Sequence, residues 1–169
     1  METWDLLDAA RSPLGRTHQR GEALPEHTYH AVVFVWVADR RGRFLLTRRA
    51  PEKKSYPDCW GCTGGSVLAG ETSLQGVRRE LYEETGIDAP EGEFRLLETI
   101  RERDMFCDLY FLALEHDPGP LRLQPGETVE AGWFSLEQLR SLPDLAEPDR
   151  QRLALLAERL EQSARAAAQ

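Results

Sequence analysis

The chain has 169 residues, of which 21 are Lys or Arg and 29 are Asp or Glu, giving a net charge of −8. That length suits a single domain, residues 1–169, with a real core, and the acidic balance disfavours a nucleic-acid polymer as partner, because polyanion binding needs a basic footprint. The longest apolar run, residues 31–38, is too short to span a membrane, and the opening Met1-Glu2-Thr3-Trp4-Asp5 has neither a basic start nor an apolar leader, so a cytoplasmic location without a membrane partner is expected.

Residues 4–8 alternate weakly, as an edge strand would, and residues 11–25 are rich in Gly, Pro and charge and read as turns or a loose hairpin. Residues 1–28 thus form a strand-and-turn extension. Residues 30–37 are β-branched and aromatic and predict a buried strand. Asp39-Arg40-Arg41-Gly42 is a turn, and residues 43–47 are expected to pair back as the hairpin partner. A polar loop, residues 50–58, is punctuated by Pro51 and Pro57. It leads into a Trp- and Gly-rich segment and a glycine loop, Gly64-Gly65 to Gly70.

Thr72-Ser73-Leu74-Gln75 fits a capping box and Gly86 a left-handed C-terminal cap, so a helix is predicted over residues 73–85. Residues 94–100 and 105–114 read as two strands, Asp117-Pro118-Gly119-Pro120 breaks the chain, and residues 129–134 form a short strand. Ser135-Leu136-Glu137-Gln138 is a second capping box, opening a short helix to about residue 142. A last helix, about residues 148–166, carries Leu153, Leu156 and Leu160 on one face. Strands interleaved with few helices give an α/β (α+β) domain with a mixed sheet.

On the first helix Leu74, Val77 and Leu81 recur at helical spacing and should face the core. Glu80, Glu83 and Glu84 lie at i, i+3 and i+4 on a second face, a spacing at which like charges oppose the helix. A hard divalent cation, bound through carboxylates and the phosphates of a substrate, would offset them. Arg79 is placed to pair with Glu83 or orient a carboxylate, and Glu71 stands at the helix start, where a carboxylate suits the dipole. Cys59 and Cys62 form a CxxC pair with no second pair or histidines at ligand spacing, and read as buried or half-buried thiols.

Gly65, Glu71, Arg79, Glu80, Leu81, Glu83, Glu84, Gly86 and Ile87 occupy every specified position of a known pattern. This stretch, residues 65–87, resembles the signature of the Nudix hydrolases, which cleave nucleoside diphosphates linked to another group. By order of elements the resemblance covers about residues 30–140. It implies the family's α/β/α sandwich around a central mixed sheet. It further implies Mg²⁺ or Mn²⁺ on Glu80, Glu83 and Glu84 with the Gly65 carbonyl, Arg79 holding a glutamate in place, and Glu71 and Gly86 supporting the loop–helix structure. The general base is left between Glu80 and the pair Glu127 and Glu130, which read equally as surface charge at a turn.

Substrate choice lies outside the signature. Arg48, Arg49, Lys53 and Lys54 are candidates to meet phosphates or a solvated basic loop. Tyr29, Trp36, Tyr56, Trp60, Phe106 and Tyr110 include candidates to stack on a base, though strand aromatics are mostly core. The proline that ADP-ribose pyrophosphatases usually carry is absent from residues 101–104, and the match to coenzyme A pyrophosphatases is partial. Residues 45–50, with Lys53-Lys54 and Trp60, look like the isopentenyl diphosphate isomerases of the same superfamily. His30, which falls near a metal-binding histidine of those enzymes, is read as a strand-end core residue. The intact Arg79-Glu80-Leu81-Tyr82-Glu83-Glu84 argues for hydrolysis. The expected activity is Mg²⁺-dependent hydrolysis of nucleoside 5′-di- or triphosphates by a monomer or homodimer. The alternatives are an isomerase or hydrolase of prenyl diphosphate, and a non-catalytic nucleotide-sensing or protein-binding module.

Overall fold

A nine-residue apolar strand organises the molecule. In the computed structural model, which describes residues 2–168, this is β3 (His30–Ala38), preceded by β1 (Thr3–Leu7) and β2 (Pro13–Gln19). Then follow β4 (Phe44–Arg49), β5 (Trp60–Gly61), β6 (Thr63–Ser66) and α1 (Ser73–Thr85). After a 3₁₀ turn at Glu91–Glu93 come β7 (Arg95–Glu102), β8 (Met105–Ala113), β9 (Thr128–Phe134), α2 (Leu136–Ser141) and α3 (Glu147–Ala167).

Side chains alternate across a strand, so β3 feeds two cores. Val32, Trp36 and Ala38 pack with Phe44, Leu46, Leu156 and Leu160 on the α3 side. Val33, Val35 and Val37 pack with Val77, Leu81, Ile87 and Leu112 on the α1 side. A strand buried on both faces needs a continuous apolar run, which is what residues 31–38 supply. The result is an α/β/α sandwich around a mixed sheet of order β5-β4-β3-β8-β7, with β3 and β8 parallel from His30↔Met105 to Ala38↔Ala113.

Two expectations change. The hairpin of β3 with β4 is confined to Val37↔Leu45 and Ala38↔Phe44. Past that point β4 pairs with β9, from Phe44↔Phe134 to Arg48↔Glu130, and with β5. The edge of β3 that β4 vacates is taken by β6, from Val32↔Ser66 to Val35↔Thr63, so the Trp- and Gly-rich segment and the start of the glycine loop are strand. Glycine is a poor strand former alone, but an open sheet edge supplies the ladder. The N-terminal extension is a hairpin of β1 and β2 in a sheet of its own. Among the described residues no helix is long and apolar enough to cross a membrane.

Candidate active site

The first turn of α1 is fixed from several directions. The Thr72 side chain accepts from Gln75 N, the Gln75 side chain accepts from Thr72 N at 2.8 Å, and Gly86 closes the far end at φ +78°. Ser73 donates to Asp108, a buried aspartate on β8 that also takes Arg11 Nη1 at 2.7 Å and Thr99 Oγ1 at 2.6 Å. The loop before the helix hangs on the N-terminal hairpin: Ala69 N donates to Thr3 O at 2.9 Å and Gly70 N to Asp5 at 2.8 Å.

Arg79 gathers three glutamates. Its Nε and Nη2 donate to Glu71 at 2.8 and 3.0 Å, and Nη1 reaches Glu80 at 2.8 Å and Glu83 at 3.3 Å. Nη2 also donates to Ser66 O at 2.9 Å, so one guanidinium ties β6, loop and helix together. Burial alone would raise Glu71, but the bonds from Arg79 and Leu68 N outweigh it and hold the carboxyl below its ordinary value. Glu80 goes the other way: burial lifts it, with Arg79 opposing. Its carboxylate lies against Gly65, where any Cβ would collide with it.

Glu84 faces elsewhere. It is 8 % exposed, takes a hydrogen bond from the Thr63 side chain, and is pushed up to about 8, first by burial and then by the charge of Glu80. It lines a cavity of about 710 Å³ that opens where β3 and β4 diverge. Thr47, Arg49, Gly64 and Thr128 also line it, as do Phe34, Glu102, Asp149 and Arg152. Thr128 Oγ1 is buried with no hydrogen-bond partner among the described residues.

Residues 28–156 match the family model described as NUDIX domain. The chain belongs to the Nudix family. It is similar to a Nudix hydrolase of Listeria monocytogenes, 34 % identical over 84 % of this chain and 85 % of that protein. An isopentenyl-diphosphate Delta-isomerase of Paenarthrobacter aurescens is 29 % identical over 77 % of this chain and 74 % of the relative. Among solved structures, the MutT protein of Methanosarcina mazei Go1 superposes with a TM-score of 0.64 at 26 % identity, over 80 % of this chain and 94 % of that one. The Nudix hydrolase assignment makes the chain an enzyme.

The Nudix helix, α1, therefore divides its acidic residues: Glu80 and Glu83 are drawn to Arg79, while Glu84 turns into the cavity. Among the described residues no group of three His, Cys, Asp or Glu side chains converges tightly enough to hold an ion by itself. The donor set still fits Mg²⁺, which is held by one or two carboxylates plus substrate phosphates and not by an all-protein cage. The buried Glu84 carboxyl, whose charge is disfavoured without a cation beside it, and the backbone left bare at Gly65, fit such an ion.

Of the other candidates, Arg49 lines the cavity and its charge is felt by Glu84. Glu127 is also felt by Glu84 and pairs with Lys53. Glu130 pairs with Arg48 at 3.5 Å, and neither is on the cavity wall; Lys54 is exposed and also off it. Tyr56 is exposed and lines the cavity. Trp36, Trp60, Phe106 and Tyr110 are buried, and Tyr29 packs on Phe106 with centroids 5.4 Å apart. His30 is buried and stacked on Trp4 at 4.4 Å, and burial holds it below its ordinary value. The cysteines are free.

Sequence reasoning missed an ion cluster in the cavity lining. Arg152, only 4 % exposed, donates Nε and Nη2 to Glu102 at 3.1 and 2.8 Å and Nη1 to Asp149 at 3.2 Å, and lies 3.6 Å from the Phe34 ring centre. Asp149 in turn accepts from the Cys62 thiol at 3.3 Å and from the Cys62 backbone N–H. A signal existed: Asp149 and Arg152 fall on the apolar stripe of α3 that Leu153, Leu156 and Leu160 define.

Proposed function

We propose that this Nudix enzyme is a Mg²⁺-dependent hydrolase of nucleoside 5′-di- or triphosphates, releasing the monophosphate and phosphate or pyrophosphate. The observation that carries the substrate class is a polar stretch of the cavity lining. Glu102, Arg103, Asp149, Gln151 and Arg152 form it, and a prenyl tail laid there would desolvate charges without replacing their water. A nucleoside, with hydrogen-bonding groups on base and ribose, suits the same wall, and the volume suits a small ligand.

Glu80, Glu83, Glu84 and the Gly65 carbonyl would hold the cation, which supplies neutralisation of the phosphates and a more acidic water. Arg79 keeps Glu80 in place, and Arg49 on the cavity wall meets the phosphates. Glu80 or Glu127 takes the proton of the attacking water; Glu127 and Glu130 are both held in ion pairs, with Lys53 and Arg48, and Glu127 is preferred because Glu84 feels its charge. Prenyl diphosphate is the second reading, favoured by the isomerase relative and by Phe34 and Met105 in the cavity lining.

The test is incubation with Mg²⁺ and a panel of nucleoside di- and triphosphates, nucleotide sugars, dinucleotides and isopentenyl diphosphate, with products resolved. Release of a nucleoside monophosphate is expected. Turnover of isopentenyl diphosphate alone would replace this reading with the second.

A further inference from the structure

Glu102 is the most accessible member of this ion cluster, with 29 % of its side chain exposed against 4 % for Arg152 and 8 % for Asp149. Arg152 grips both of its oxygens through Nε and Nη2, and is itself held by Asp149 and stacked on Phe34. The carboxylate is therefore fixed in position, paired with a guanidinium. An ionised carboxylate only accepts hydrogen bonds, at about four lone-pair sites. Arg152 occupies two, which leaves acceptor capacity on a group that lines the cavity. With two carboxylates to one guanidinium, the cluster has no spare positive charge for a phosphate. What it recognises is a donor.

We infer that Glu102, positioned by Arg152, reads the nucleobase and favours bases that present adjacent N–H donors or an amino group over bases whose N–H lies between two carbonyls. This rests on the nucleotide reading above and deepens it. Guanine offers N1–H and the 2-amino group side by side, matching the two oxygens of a carboxylate. Adenine and cytosine offer one amino group next to a ring nitrogen. Uracil and thymine offer N3–H between two carbonyl oxygens, which the carboxylate repels. The order is guanine first, adenine and cytosine next, uracil and thymine last. A bond to a charged acceptor sets the guanine-to-uracil ratio in kcat/KM at about 10- to 100-fold.

The experiment measures kcat/KM for guanosine, adenosine, cytidine and uridine 5′-diphosphates and triphosphates, with isopentenyl diphosphate alongside, in the wild type, Glu102→Gln and Glu102→Asp. The readout is the guanosine-to-uridine ratio within each enzyme, which cancels any general loss of activity or folded fraction. In Glu102→Gln the carboxamide supplies a donor to the uracil carbonyl, and the ratio is expected to fall by about tenfold or more. Glu102→Asp keeps the charge, draws it back from the cavity, and is expected to lower the ratio by a smaller factor. Nucleotide turnover with no base preference, or with a preference that both variants retain, would overturn the inference and leave the proposed function standing. Turnover of isopentenyl diphosphate with no nucleotide would overturn both.

Discussion

Arg79 holds Glu71 through two parallel hydrogen bonds, Nε to Oε1 at 2.8 Å and Nη2 to Oε2 at 3.0 Å. The pair fastens the loop to the Nudix helix and sets the position from which the same guanidinium reaches Glu80. Lysine keeps the charge and loses the planar fork. Arg79→Lys should lower kcat/KM by about 10²-fold through misplacement of Glu80, and cost about 1.5–3 kcal/mol of stability for the lost charged bonds. Glu71→Gln, which keeps one acceptor oxygen, should cost less of each. Steady-state kinetics and denaturant unfolding check both, and wild-type values for Arg79→Lys would contradict the arrangement.

Glu84 is a carboxylate whose burial opposes folding. Its folded value, about 8, lies above the ordinary glutamate range. In metal-free protein its contribution is complete at pH below that range and is lost as pH rises through about 8. Glu84→Gln should therefore raise the metal-free melting temperature at pH 9 relative to wild type, with little difference at pH 4, while turnover falls by orders of magnitude. Mg²⁺ should raise the wild-type melting temperature and leave that of the variant nearly unmoved. A melting curve over pH, with and without Mg²⁺, reads all three.

Asp108 has the opposite sign. Burial would raise it, yet the bonds from Arg11, Ser73 and Thr99 outweigh burial and hold it below the ordinary aspartate value. Its contribution is present above the unfolded value and is lost as pH falls through the folded one. Asp108→Asn should cost about 1–3 kcal/mol at pH 7 and flatten the acid limb of the melting profile. Because Asp108 anchors Ser73 at the start of the Nudix helix, amide exchange in the first turn should also quicken.

Of the three cysteines, Cys59 is partly exposed while Cys62 and Cys107 are buried. Burial pushes the Cys62 thiol well above its ordinary value and that of Cys107 up to about 12. Iodoacetamide at pH 8 should alkylate Cys59 in the native protein and the other two only on unfolding, as mass spectrometry of peptides would show. Rapid native labelling of Cys62 would mean that the cavity wall opens.

The Nudix helix was legible because its start and stop are written locally, in Thr72, Gln75 and Gly86. Strand β3 was legible because burial on both faces leaves an unbroken apolar run. β5 and β6 were not, because Trp60–Gly61 and Thr63–Ser66 are strands only through edges that other segments leave open. The same holds for β4, whose hairpin with β3 is cut short by competition from β9. In the site, Glu80, Glu83 and Glu84 could be found by spacing, but their division between Arg79 and the cavity depends on burial, which spacing does not report. Glu102 and Arg152 stand 50 residues apart. Nothing local in either segment announces that a strand end and a helix face meet in the lining of a cavity.

Between β5 and β6 the chain passes from the edge of β4 to the edge of β3 in one residue, Cys62. No strand is there to receive its N–H, and the Asp149 carboxylate does so instead. The close approach needs Gly61, since a Cβ there would stand 2.6 Å from Asp149 Oδ2. The residues leading into α3 bond to β5 as well, with Trp60 N on Asp144 O and Ala146 N on Trp60 O, both at 2.8 Å. The C-terminal helix is thus stitched into the seam of the sheet and is no appendage to it. Trimming the chain ahead of Glu147 would unpick the fork that makes the cavity, and Gly61→Ala would start the same tear from the other side.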